Sequence, residues 1–160
     1  MVIMKKWEKE GYLELSDLKL PNEEQLKRGV AIIECIQEIP CNPCIDACPK
    51  NAISMEDINA LPEIDYEKCI GCGKCIEICP GLAIFLVKIV GDEALVSIPY
   101  EFIPLPEERS IVKALNRKGE EICNAKVEKI KKGKTNVLTI RLPAEYAMEA
   151  RNIKIISGKH

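Results

Sequence analysis

The spacing of hydrophobic and polar residues divides the chain into three zones. Over residues 92–160, "ALVSIPYEFIPL", "SIVKALNRKGEEI", "NAKVEKIKKGKTNVLTIRLP" and "NIKIIS" alternate apolar with polar and are broken by the turn-forming clusters "NRKG" and "KKGKTN". A period of two sends successive side chains to opposite faces, so this stretch predicts a small, mostly antiparallel β domain in the manner of a partly open barrel. "AEYAMEAR", Ala144 to Arg151, predicts one short helix among its strands. "GKT" at Gly133 to Thr135 lacks the earlier glycine of a phosphate loop, since Glu128 stands there, and it predicts a hairpin tip.

Over residues 30–91 the apolar runs come in matched pairs. "VAIIEC" and "LPEIDYEKC" each lead into a cysteine-rich loop, and "NAIS" and "LAIFLVKIV" each close one. The pattern predicts a strand, a cysteine loop, a short helix after the third cysteine and a returning strand, twice over. At an offset of 31 residues "CIDACPKNAI" and "CIEICPGLAI" agree at six of ten positions. Repeats this close imply a pseudo-twofold unit in which neither half can bury its apolar face alone. Residues 1–29 have no evident core of their own. Ser16 can cap a short turn, and Asn22 with Gln25 forms the pattern of a capping box, opening a brief helix that Gly29 ends. This zone reads as an arm docked on the surface, with Trp7 and Tyr12 to staple it, or as a segment that binds a partner.

Composition narrows the class. Hydrophobic residues make up 47% of the 160, as in ordinary soluble domains, while aromatics are only 4%. The formal charge is −2, with no basic stripe interleaved with aromatics, so nucleic acid is not expected as a partner. The start "MVIMKK" carries too short an apolar run for a signal sequence, and no stretch approaches the ~18 apolar residues of a membrane-spanning helix. A cytoplasmic, reducing location follows as the expectation. There, nine cysteines in one chain point to metal rather than to disulfides.

Eight of the nine cysteines are grouped. The second group, Cys69, Cys72, Cys75 and Cys79, reads C-x2-C-x2-C-x3-C-P; the first, Cys35, Cys41, Cys44 and Cys48, reads C-x5-C-x2-C-x3-C-P, with Glu38 aligned to Cys69. Soft thiolates match the iron of iron–sulfur clusters, and four irons at the corners of a cube call for four of them. A tight C-x2-C-x2-C loop supplies three, and in two-cluster proteins the cysteine before proline serves the other cluster. On that pattern Cys48, Cys69, Cys72 and Cys75 hold one [4Fe-4S] cluster, and Cys41, Cys44 and Cys79 with one further ligand hold the other. That ligand is either Cys35 or Glu38; Cys35 is favoured because a carboxylate is a harder partner for iron. Pro49 and Pro80 turn the chain away after the crossing cysteines, and Gly71 and Gly73 let the backbone approach the second cluster, where the first loop has Pro40 and Pro43. Zinc held by four cysteines favours two separated C-x2-C knuckles, a different spacing.

Residues 30–91 resemble a bacterial-type two-[4Fe-4S] ferredoxin domain, closely in "IDYEKCIGCGKCIEICP" and, except at the first ligand, in "CNPCIDACP". More narrowly, "EQLKRGVAIIECIQEIPCNPCIDACP" resembles the small iron–sulfur subunits of FAD-dependent amino-acid dehydrogenase or oxidase complexes of the sarcosine, proline and hydroxyproline type. The expected fold class is therefore α+β: an arm at 1–29, a pseudo-twofold two-cluster ferredoxin module at 30–91 and a small β-rich domain at 92–160.

The chain shows no dinucleotide fingerprint, no paired catalytic carboxylates in a recognisable frame and no nucleophile–base set. The expectation is an electron-transfer subunit without a catalytic site of its own, relaying electrons between a flavoprotein dehydrogenase or oxidase and an acceptor. A free-standing ferredoxin with a stabilising tail and a cluster-based redox sensor are the alternatives. Cys123 reads as a small apolar packing residue and the terminal His160 as frayed. The charged stretches "EERS" and "KIKKGK" read as solvated faces.

Overall fold

The computed structural model describes residues 21–34, 47–55, 63–79, 83–102, 105–133 and 135–155. The expectations placed on Trp7, Tyr12, Ser16, Cys35, Glu38, Pro40, Cys41, Pro43, Cys44, Pro80 and His160 lie outside them.

The capping box forms as its spacing predicts. Asn22 Oδ1 accepts from the Gln25 amide at 2.8 Å, and Gln25 Oε1 accepts from the Asn22 amide at 2.9 Å. Helix α1 (Glu23–Arg28) follows, acidic in its first turn and basic in its last, as the helix dipole favours. Gly29, at φ 91°, ends it by donating its N–H to the carbonyls of Gln25 and Leu26.

Among the described residues nine strands follow: β1 (Val30–Ile33), β2 (Ile53–Ser54), β3 (Glu63–Ile64), β4 (Ile84–Val90), β5 (Glu93–Tyr100), β6 (Ile111–Leu115), β7 (Glu121–Lys131), β8 (Asn136–Pro143) and β9 (Asn152–Ile155). Helix α2 (Lys74–Ile78) lies between β3 and β4. Seven strands form one antiparallel sheet in the order β1-β4-β5-β8-β7-β6-β9, and β2 pairs with β3 apart from it. "NRKG" makes the β6–β7 turn, where Asn116 Oδ1 accepts from the amides of Lys118 and Glu120, and Gly133 and Thr135 lie between the antiparallel strands β7 and β8. The helix expected over Ala144–Arg151 is a 3-10 turn at Ala144–Tyr146 with turns after it.

The α+β class is overturned. Among the described residues the structure is mostly antiparallel sheet, 46% strand, and no two-cluster α+β module stands apart from it. The reason lies in "VAIIEC" and "LAIFLVKIV". Their β-branched residues pair as strands, Val30 with Val87 through Ile33 with Ile84, and β4 then pairs with β5. The α-helices cannot compete, since α1 has six residues and α2 five, well short of the ~12–15 an autonomous helix needs.

The 31-residue repeat is nonetheless written into the backbone. Ile33 pairs with Ile84 and Ile64 with Ile53, positions the repeat equates. Likewise Glu34 N–H donates to Ala83 O and Asp65 N–H to Ala52 O, both at 2.7 Å. What differs is the fate of the pairs: β2–β3 stays two residues long, whereas β1–β4 becomes one end of the large sheet.

Strand β4 is a wall between two cores. Phe85 and Val87 face the core of the sheet, with Val96, Ile98, Val127, Leu138 and Ile140, and Ile84 faces the cysteine side, with Ala31, Ile64, Cys69, Cys75 and Ile76. Burying one such aliphatic side chain is worth about 1.5–3 kcal/mol, so both faces contribute to holding this hairpin in place.

Candidate metal centre

The approach to Cys69 is a tight turn fastened at its start. Asp65 Oδ1 accepts the Glu67 amide at 3.0 Å, and Asp65 O accepts the amides of Lys68 and Cys69 at 3.1 and 3.2 Å. Helix α1 grips the same turn. Arg28 Nη2 donates to Tyr66 O, and Gln25 Nε2 donates to Glu67 Oε1 at 2.6 Å. The zone read from sequence as an arm therefore ends in a clamp on the cysteine loop.

Two glycines shape that loop. Gly71 has φ 71°, and a Cβ placed on it would lie 2.7 Å from the Gly29 carbonyl oxygen. Its missing side chain thus admits the backbone that ends α1, a role beyond the cluster approach expected from sequence. Gly73, at φ 76°, is the N-cap of α2, which carries Cys75 in its first turn; Cys79 ends the helix, donating its N–H to Cys75 O at 3.2 Å. Ile76, 1% exposed, anchors α2, which packs on β4, β5 and β8. Glu77 Oε2 receives Lys131 Nζ at 3.1 Å from the end of β7, so one lysine of "KIKKGK" is tied to the cysteine helix.

The thiols stand in graded exposure: Cys69, Cys75 and Cys79 are buried, Cys48 is half-buried, Cys72 is exposed, and none of the five is in a disulfide. Two backbone amides are aimed at sulfur. Ala31 N–H on β1 donates to Cys69 Sγ, and Ala52 N–H donates to Cys48 Sγ, each at 3.3 Å. Among the described residues no three His, Cys, Asp or Glu side chains converge closely enough for a single metal ion. A soft donor set on a glycine-bearing loop, with amides directed at two sulfurs, fits an iron–sulfur cluster. Cys69, Cys72 and Cys75 are its candidate ligands here, with Cys48 as the fourth from the other half.

Tyr66 lies behind this loop, 7% exposed. Burial first, then the charges of the Cys69 thiolate and the Glu34 carboxylate, push its hydroxyl pKa up to about 12. Glu34 ends the described segment after β1, and sequence reasoning missed it. Its carboxylate receives Arg117 Nε and Nη2, each at 2.8 Å, and Arg151 Nε at 2.5 Å. Burial alone would raise the Glu34 pKa, but the Arg117 hydrogen bond and the charges of both arginines hold it below the usual carboxylate value. No local pattern could have found this set, because the partners lie 83 and 117 residues away. Cys123 packs against the sheet core on β7, opposite Ala114.

The family model described as "4Fe-4S binding domain" matches residues 62–85, which take in Cys69, Cys72, Cys75 and Cys79. No curated protein matches the chain, and neither does any solved structure. The match indicates a [4Fe-4S] cluster and, with it, a place in iron–sulfur electron transfer. Among the described residues no helix is long and apolar enough to cross a membrane.

Proposed function

We propose that this chain relays single electrons through two [4Fe-4S] clusters between a flavoprotein dehydrogenase or oxidase and a downstream acceptor. The observation that carries the electron-transfer reading is the amide of Ala31 directed at Cys69 Sγ from a strand fixed by the sheet. A bound cluster supplies one-electron chemistry at a potential set largely by hydrogen bonds to sulfur and by exposure. The chain's own part is to hold the loop rigid through the α1 clamp, to donate the amides of Ala31 and Ala52, and to leave Cys72 at the surface where a partner can approach.

The second cluster rests on the repeat. Cys41, Cys44 and Cys79 are its proposed ligands, with Cys35 completing the set in place of Glu38. Support comes from the backbone pairs that obey the same offset, Glu34 with Ala83 and Asp65 with Ala52. The flavoprotein partner, of the amino-acid dehydrogenase type, rests on the sequence resemblance of residues 24–49. Residues 1–29 and 92–160 then serve as docking elements in a cytoplasmic complex.

Anaerobic native purification followed by iron, sulfide and flavin analysis tests the proposal. About eight irons per chain with a flavoprotein attached is the expected result. Zinc in place of iron overturns the whole reading, about four irons per chain removes the second cluster, and an iron-loaded chain that purifies alone removes the partner.

A further inference from the structure

Glu34, Arg117 and Arg151 form a buried set of charges: their side chains are 6%, 8% and 4% exposed. Among the described residues two guanidinium groups share one hydrogen-bonded carboxylate, and although the Glu149 charge also acts on Arg151, the hydrogen-bonded set itself carries one surplus positive charge. Arg151 Nη1 donates to Ala147 O and Ala150 O at 3.1 and 2.6 Å, and its guanidinium carbon lies 5.1 Å from the centre of the Phe85 ring. Arg151 Nη2 is buried with no acceptor among the described residues. An uncompensated buried cation is costly, so a surplus of this kind calls for negative charge close by.

The sheet places the cysteine site close by. Glu34 directly follows β1, three residues beyond Ala31, whose amide is bonded to Cys69 Sγ. At about 3.3 Å per strand residue that backbone step is roughly 10 Å, and charges inside protein are screened far less than in salt water. The charges of Cys69 and of Glu34 both act, after burial, to raise the pKa of the Tyr66 hydroxyl. The centre held there becomes more negative with each electron it accepts.

We propose that the Glu34–Arg117–Arg151 set is the counter-charge of the iron–sulfur site at Cys69, its surplus positive charge stabilising the added electron and holding the reduction potential up. The inference rests on the reading that Cys69, Cys72 and Cys75 ligate a cluster. The step involved is uptake of one electron from a one-electron reductant, dithionite in the test, with no bond made or broken. All three are positioning residues, since they act on the site through its electrostatic field.

Anaerobic potentiometric titration of the iron-loaded chain tests it, with iron and sulfide content and thermal midpoint measured in parallel. Arg117→Gln removes one positive charge and lowers the potential; Glu34→Gln removes the negative charge and raises it. Each shift corresponds to about a tenfold change in electron affinity, about 59 mV for one electron. Arg117→Lys restores the parent value, a rescue that a purely structural role does not predict. Should single variants fail to fold, the triple replacement Glu34→Leu, Arg117→Leu and Arg151→Leu keeps the volume apolar, an exchange buried ion sets often tolerate, and it lowers the potential. Full iron content with unmoved potentials, or shifts of the same sign in Arg117→Gln and Glu34→Gln, overturns the counter-charge role alone. A parent chain that takes up no iron overturns the cluster reading and this inference with it.

Discussion

A β-carbon added to Gly71 would lie 2.7 Å from the carbonyl oxygen of Gly29, so the cysteine loop and the end of α1 meet backbone against backbone. Gly71→Ala must move one or the other and must also hold alanine at φ 71°, which costs about 1–2 kcal/mol before any clash. Gly73→Ala bears the same kind of backbone strain, but its nearest neighbour is Ile76 Cδ1 at 3.8 Å. Gly71→Ala is therefore expected to lower the urea-unfolding free energy more than Gly73→Ala and to load less iron. Equal effects would show that the close approach to Gly29 is not the constraint.

Cys35→Ser is expected to convert one cluster to a three-iron form, visible by electron paramagnetic resonance of the oxidised protein, or to abolish it. Cys123→Ala, on β7 within the sheet, should leave iron content and spectrum as they were. An unchanged spectrum in Cys35→Ser removes that residue from the ligand set and turns attention to Glu38.

The capping box at Asn22 and Gln25 does more than start a helix, because Gln25 also donates to Glu67 in the turn before Cys69. Asn22→Ala should cost about 1 kcal/mol of stability, the usual worth of an N-cap side chain. Amide hydrogen exchange offers a direct check, with faster exchange expected at Lys68 and Cys69 as the clamp loosens. Protection unaltered at those two amides would confine the effect to α1.

Burial pushes the Cys123 thiol pKa up; the Glu145 charge adds to this and Lys113 partly offsets it. A raised thiol pKa contributes stability that is complete below the unfolded-state value and is lost as pH rises through the folded one. Alkylation of Cys123 by iodoacetamide in the folded chain should be slow at pH 7.5 and climb only above the pH at which the urea-unfolded chain already reacts. Matching pH profiles in the two states would contradict its burial.

Local chemistry was legible in the sequence, and distant assembly was not. Asn22 with Gln25 and the turn at "NRKG" each depend on residues within a few positions, and each forms where its signal lies, while "KKGKTN" falls where β7 turns back to pair with β8. The strands of residues 92–160 were also readable from their two-residue period. "LAIFLVKIV" forms the strand its run predicts, β4, but its partners were not legible. A strand buried on both faces reads as a continuous apolar run, and such a run does not reveal that β4 takes β1 on one side and β5 on the other. The Glu34 set was hidden for a related reason, since its arginines come from the β6–β7 turn and the approach to β9. Counting by the repeat also clarifies the irregular first gap. Tyr66 occupies the place of Cys35 and Cys69 that of Glu38, so the halves differ by exchange at these two positions with no insertion between them.

The packing of α2 on β5 and β8 has a consequence for how the protein is made. Both strands are encoded after Cys79, so the ribosome delivers the thiols before the surface that supports them. At about 5–20 residues per second, β8 is completed roughly 3–13 s after Cys79. During that interval the cysteine helix can rest on β4 and β5 but lacks the part of its support that β8 supplies. A chain that stops before Asn136 therefore carries every thiol of the centre but not the full surface on which the cysteine helix packs.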